Sequence, residues 1–360
     1  MEYTEAAWRE LLTFMGNRHF DFDKFWASED GKYTRDTSWF FCSGEHSDEE
    51  IDEYWLNYEK GLIREVHGTP DDPVNHWMAF IPKSSKEDPE RRYPFTFLLH
   101  GAGNPISMTQ IYGIVQLAAK EEIIVIAPEN ERDDNLLALL AYAKNNYPVD
   151  ASRIYSMGVS FGAMRSSSMA IRYPEIFAGV GMNGMLNIGE NPIMDLSGVH
   201  YPEIRVTRDQ IRHAAGLGLC CAEIVGDQEF PDFLPVYASK YFLPPELGLD
   251  LSAAMKTRYV DAWQTLSGRN PKGSASKYPE DFNDIEKLTG IAFDRTETRN
   301  LSGRNYYIGD FNNSEDDCRF RFIAVEALPH TPPIHFAELA WEIIGKYRRN
   351  LVTGKLEKIC

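Results

Sequence analysis

Five short apolar runs limit what this chain can fold into. They cover residues 95–99, 123–127, 154–157, 177–182 and 220–225, and each is cut off by His-Gly, Pro, Gly, Asn-Gly or Gly-Asp. Nearly unbroken apolar runs of this length, ending at turn residues, are the pattern of parallel strands buried on both faces. Between them, Ile111, Ile114, Val115 and Ala118 recur at helical spacing, as do Leu136, Leu139, Leu140 and Ala143. Strand and helix therefore alternate, which predicts a mostly parallel, doubly wound α/β sheet with right-handed crossovers and helices on both faces. The rhythm resumes at residues 319–328, whose alternation predicts a partly exposed edge strand. A closing helix is predicted from about 334 to 348, with Ala337, Ala340, Trp341 and Ile344 toward the sheet.

Two stretches depart from the rhythm. Residues 1–60 are rich in acids and aromatics, with Trp8, Trp26, Trp39 and Trp55 widely spaced. They read as an N-terminal extension or lid, in which residues 5–15 form a helix with Trp8, Leu11, Leu12 and Met15 on one face. Residues 230–316 carry Pro231, Pro235, Pro244, Pro245, Pro271 and Pro279, a helical stretch at 253–266 and a hairpin pattern at 291–310. That segment reads as a cap-like insertion over the ligand face. The organisation expected is an extension (1–60), a main domain (61–350) with an insertion at about 230–316, and a C-terminal tail (351–360).

Composition excludes several classes. The 360 residues carry 37 Lys+Arg against 54 Asp+Glu, a formal charge of −17. Nucleic acid is not an expected partner, because phosphate binding needs clustered basic residues. No apolar run approaches the ~18–20 residues that cross a bilayer, so no membrane partner is expected either. Residues 1–16 have neither a basic start nor a continuous apolar stretch, so with Met1 as the start the expected location is the cytoplasm. The five cysteines include an adjacent pair, Cys220 and Cys221, and no CxxC, which suggests neither a disulfide framework nor a zinc site.

The segment that carries chemistry is Gly158-Val159-Ser160-Phe161-Gly162, set between an apolar strand and a helical pattern. A serine on a sharp strand-to-helix turn needs neighbours without bulky side chains, which the two glycines supply. The helix N-terminus would add backbone N–H groups and positive partial charge beside Ser160. A serine hydroxyl is a poor nucleophile at neutral pH and needs a base, itself oriented by an acid. In nucleophile–acid–base chain order the base comes from the loop after the last strand, where His330 lies. His335 competes, but falls in the first turn of the closing helix. The acid should follow the strand at 220–225, where Gly226-Asp227-Gln228-Glu229 offers two carboxylates. Position favours Glu229 and residue type favours Asp227, so Glu229 is taken with Asp227 as the alternative. The Gly-rich stretch His100-Gly101-Ala102-Gly103-Asn104 can aim a backbone N–H, that of Ala102, at a substrate oxygen, complementing the N–H of Phe161. His100 is expected to be a structural hydrogen-bonder in that loop.

With these residues in place the chain resembles the α/β-hydrolase superfamily. It is similar to the esterases grouped with polyhydroxybutyrate depolymerases and feruloyl esterases, and to prolyl-oligopeptidase-type catalytic domains. The resemblance rests on the sequences at 149–155, 158–162 and 172–178, on His100-Gly101, and on Pro329-His330 with Glu338-Leu-Ala-Trp341. It covers roughly residues 90–230 and 318–350. It implies an α/β-hydrolase fold and a serine esterase acting on a small-molecule ester through an acyl-enzyme, with no metal or organic cofactor. A peptidase or amidase would use the same triad, and a non-catalytic binding protein could use the same scaffold. Oligomeric state is left open, a homo-oligomer included.

Overall fold

The structure is a computed structural model that describes residues 3–16, 20–88, 90–184, 205–229, 284–286, 293–312 and 317–359. Four helices open the chain: α1 (Glu5–Phe14), α2 (Phe22–Trp26), α3 (Glu29–Cys42) and α4 (Asp48–Asn57). Each starts where a short polar side chain accepts from a free backbone N–H of the first turn: Thr4, Asp21, Ser28 and Ser47. A ten-stranded sheet follows. Its strands are β1 (Leu62–His67), β2 (Trp77–Pro82), β3 (Tyr93–Leu99), β4 (Ile124–Pro128), β5 (Val149–Val159), β6 (Gly179–Asn183), β7 (Cys220–Gly226), β8 (Arg295–Leu301), β9 (Arg304–Asn312) and β10 (Cys318–Val325). The order is β1-β2-β4-β3-β5-β6-β7-β10-β9-β8. The six strands from β4 to β10 run parallel, and antiparallel pairs close both edges.

Strand alternation divides the core in two. Ala79, Phe95, Phe97, Ile126 and Val180 face one side, under α6 (Asp133–Asn146), α7 (Phe161–Arg172) and α8 (Arg208–Leu217). Met78, Phe80, Leu98, Val125 and Met157 face the other, under α5 (Ile114–Glu121) and α9 (Phe336–Ile344). The N-terminal helices belong to this second core, to which they contribute Trp8, Leu12, Phe25, Phe41, Ile51 and Trp55. Trp55 is fully buried, stacked on Phe41 at 5.2 Å, with its indole N–H donating to Gln110 Oε1 at 3.0 Å. The architecture is the α/β-hydrolase sheet, with the crossover direction reversing between β3 and β5. Such a reversal opens a crevice at the carboxyl ends of the strands.

Expectations for the last strands and for the closing helix are corrected. β10 is not an edge strand: it lies between β7 and β9, its last six residues all buried, because the β8–β9 hairpin extends the sheet past it. That hairpin, expected in a cap, is part of the sheet. The closing helix stops at Ile344, not near 348. Residues after Gly345 turn back as β11 (Tyr347–Arg349), paired with β12 (Leu356–Lys358) in what was expected to be a plain tail. Competing side-chain bonds hold this turn: Tyr347 Oη donates to the Cys318 carbonyl at 2.8 Å, and the Arg349 guanidinium donates to that of Phe177 at 2.6 and 2.8 Å. The helical stretch expected at 253–266 lies outside the described residues. Among the described residues no helix is long and apolar enough to cross a membrane.

Candidate active site

β5 ends at Val159, and the chain turns through Ser160 into α7. Ser160 sits at φ 55°, ψ −119°, a conformation that costs a residue with a Cβ. The turn is held because Ser160 N–H donates to the Asn183 carbonyl at the end of β6, 2.8 Å away. The flanking glycines are steric necessities. A Cβ on Gly158 would lie 2.2 Å from the Gly162 carbonyl oxygen, and one on Gly162 would lie 2.3 Å from that of Leu99. Phe161 is the first residue of α7, where an N–H has no intrahelical acceptor.

After β3, residues Gly101–Asn104 form a tight turn closed by Asn104 N–H to the Gly101 carbonyl at 3.1 Å, with Gly103 at φ 73°. The turn abuts the elbow so closely that a Cβ on Gly101 would stand 3.4 Å from Ser160 Cβ. Tyr112 Oη underpins it, accepting from Gly101 N–H at 3.4 Å and Asn104 Nδ2 at 3.1 Å. His100 lies behind the turn. Its backbone N–H donates to Glu131 Oε1 at 2.5 Å, and its ring nitrogens face the carbonyls of Gly101 and Glu129 at 2.8 and 3.3 Å. Burial pushes the Glu131 carboxyl up to about 7 against the opposing pull of His100 and Arg165. Burial also works to lower the His100 imidazole, but Glu131 and the carbonyls outweigh it and the net shift is upward.

The two carboxylates of the 226–229 turn face different ways. Glu229 is buried. Its Oε2 lies 3.0 Å from His330 Nδ1, and its Oε1 accepts from Gly226 N–H at 2.8 Å. Asp227 instead accepts from the backbone amides of Ala327 and Leu328, in the turn that leads to His330; burial, the largest influence, lifts its carboxyl to about 7. His330 is the middle residue of a three-residue turn closed by Thr331 N–H to the Pro329 carbonyl at 2.7 Å. The competing His335 is elsewhere, 3.0 Å from Ser302 Oγ on the β8–β9 hairpin. Ser160, His330, Ala102 and Gly103 line one cavity of about 190 Å³. The structure thus gathers Ser160, His330, Glu229 and the Ala102 turn, and leaves Asp227 and His335 outside.

Three known proteins are similar to the chain over part of its length or at low identity. A feruloyl esterase B from Neurospora crassa is 43% identical over 51 residues, which is 14% of this chain and 18% of that protein. The chain therefore matches under a fifth of the curated relative's length. An acetyl xylan esterase from Aspergillus awamori is similar in structure, at 15% identity and TM-score 0.44 over 79% of this chain and 99% of that one. An S-formylglutathione hydrolase from Agrobacterium tumefaciens is similar at 12% identity and TM-score 0.38, over 49% and 80%. Two of these proteins are named as esterases and the third as a hydrolase. No family model matches the chain.

Three features of the site carry no short sequence signature. Gly184, at φ 75°, lies against the His–Glu pair: a Cβ there would stand 2.7 Å from His330 Cε1 and 3.3 Å from Glu229 Oε1. Its one trace is the Asn183-Gly184 strand ending. Gly16, just past α1, forms an isolated antiparallel bridge with Glu229. Asp30 and Arg304 pair at 2.8 Å with side chains 4% and 9% exposed. Asp30 also accepts from Ile334 N–H, and Arg304 donates to the Glu326 carbonyl, so the pair grips the His330 loop at both ends.

Proposed function

We propose that the protein is a serine esterase in which Ser160 is the nucleophile, His330 the base and Glu229 the orienting acid. The observation that carries this reading is the 3.0 Å contact of Glu229 Oε2 with His330 Nδ1, on a cavity that His330 shares with the strained Ser160. With its Nδ1–H given to Glu229, the imidazole presents Nε2 as the proton acceptor. Ser160 Oγ attacks the acyl carbon as its proton moves to His330 Nε2. The oxyanion is received by N–H groups of Phe161 and Ala102, each such donor worth about 2.7–4 kcal/mol in the transition state. The C–O bond to the alcohol breaks as His330 Nε2–H protonates the departing oxygen. His330 Nε2 then takes a proton from water as its oxygen attacks the acyl-enzyme, and gives that proton to Ser160 Oγ as the C–Oγ bond breaks and the acid departs. The substrate is a small-molecule ester.

Hydrolysis of p-nitrophenyl acetate by Ser160→Ala tests this, with circular dichroism to confirm the fold. Turnover should fall to the buffer rate. Retained activity in the folded variant would remove the mechanism. Matched anilide substrates, expected to be poor, separate ester from amide cleavage.

A further inference from the structure

One wall of the cavity at Ser160 comes from outside the α/β sheet. Trp8, Leu11, Leu12 and Met15 line it from α1 and the residue after it, at the 3–4 residue spacing of a single helical face. Trp8 and Leu12 are buried in the second core, whereas Leu11 and Met15 are only half-buried and keep surface for a ligand to cover. The wall is fixed in place. Trp8 Nε1 donates to Ser38 Oγ at 3.2 Å, Arg9 pairs with Asp23 at 2.6 Å, and Gly16 bridges to the backbone of Glu229. The lining has a further property: among the described residues it contains no Asp, Glu, Lys or Arg. Along the α1 wall a charged group would trade water for the apolar faces of Trp8, Leu11, Leu12 and Met15, which is unfavourable. A volume of about 190 Å³ lies below the ~300–1,000 Å³ of pockets for drug-sized ligands, which suits a small group such as a short alkyl chain or one aromatic ring.

We infer that the inner face of α1, through Leu11 and Met15, sets the size and neutrality of the ester group the site accepts. This rests on the esterase reading and deepens it: the substrates are esters whose buried half is uncharged and no larger than a short alkyl chain or single ring. A methylene that does or does not fit an apolar pocket changes kcat/KM by about tenfold or more.

The test is kcat/KM for p-nitrophenyl acetate, butyrate, hexanoate and octanoate, and for the monoanionic succinate ester, with the full chain. Wild type should peak at butyrate or hexanoate and discriminate against succinate. Leu11→Ala and Met15→Ala should each raise the octanoate-to-acetate ratio by about tenfold. Leu11→Trp should lower it; because that variant risks misfolding, the two alanine variants decide. A ratio unchanged within twofold in both alanine variants, or succinate cleaved as well as butyrate, overturns the inference. Fluorophosphonate labelling of Ser160 in the same samples separates the failures. Labelling with an unchanged ratio removes only the α1 wall. Absence of labelling and of hydrolysis removes the esterase reading with it.

Discussion

The two sides of the cavity are built differently. On one side, β5, Ser160 and α7 are consecutive in the chain, and the serine is constrained locally. Its backbone is strained, and its flanking glycines are required by carbonyls 2.2–2.3 Å from where a Cβ would be. On the other side, α1 and α3 reach the site across the whole sequence and hold it by distant bonds: Gly16 to Glu229, Asp30 to Ile334, and Arg304 to both Asp30 and the Glu326 carbonyl. The Ser160 turn is thus constrained by its own neighbours in sequence, whereas the N-terminal helices are tied to the site by contacts between distant segments. Constraints of the first kind are written in a five-residue motif, and those of the second kind only in the folded molecule.

The largest effects should fall on the carboxylate that faces the histidine. Glu229→Gln should lower kcat by roughly 10³–10⁴, since an amide cannot stabilise the imidazolium. Asp227→Asn should lower it by less than about tenfold, because that carboxyl meets backbone amides rather than the ring. Steady-state kinetics on one ester decides, and the reverse ranking would exchange the two roles. In stability the two sides should respond with opposite sign. Asp30→Ala leaves the Arg304 guanidinium buried without its partner and should cost about 3–5 kcal/mol in urea unfolding. Ser160→Gly should abolish activity yet stabilise the fold, because relief of about 1–3 kcal/mol of backbone strain exceeds the ~0.5–1 kcal/mol entropy cost of glycine. A Ser160→Gly variant that melts below wild type would contradict the strained elbow.

A separate expectation concerns pH. Glu131 and Asp227 titrate near 7 in the folded chain, well above ordinary carboxylates, chiefly through burial. The folded state therefore holds protons that the unfolded state has already released, and stability should decline as pH rises from about 4.5 through 7. His100, whose folded value is raised from 6.5, adds a loss in the same direction as pH climbs past that value. Melting temperatures across this window should fall, and Glu131→Gln should flatten part of the slope. A melting temperature that rises over the window would contradict these buried protonations.

How much of this could be read from the sequence follows the same division. The parallel strands, the elbow, the Gly101–Asn104 turn and the position of His330 are local patterns, and each stands where its pattern placed it. Position favours Glu229 and residue type Asp227, and the sequence separates them only weakly because the difference depends on which way two side chains two residues apart point; in the fold Asp227 meets the amides of Ala327 and Leu328 and Glu229 meets His330. The misreading of β10 as an edge came from its alternating polar residues. Arg321 is polar yet buried, because it pairs with Asp310 on β9 at 2.7 and 2.9 Å, and an isolated strand cannot reveal that partner. The closing helix is shorter than expected because Tyr347 and Arg349 donate to the carbonyls of Cys318 and Phe177, partners far away in sequence that no helical pattern reveals. Nothing in residues 1–60 announces contact with the acid or the base, since the Gly16, Asp30 and Trp8 contacts all join segments far apart in the chain.

Fluorophosphonate labelling with the modified peptide located by mass spectrometry tests the central claim most directly, run on wild type, Ser160→Ala, His330→Ala and Glu229→Gln. The account predicts a single adduct at Ser160 in wild type, none in Ser160→Ala, and labelling slowed at least a hundredfold in the other two. Labelling at a different residue, or at Ser160 with a rate indifferent to His330 and Glu229, would contradict it.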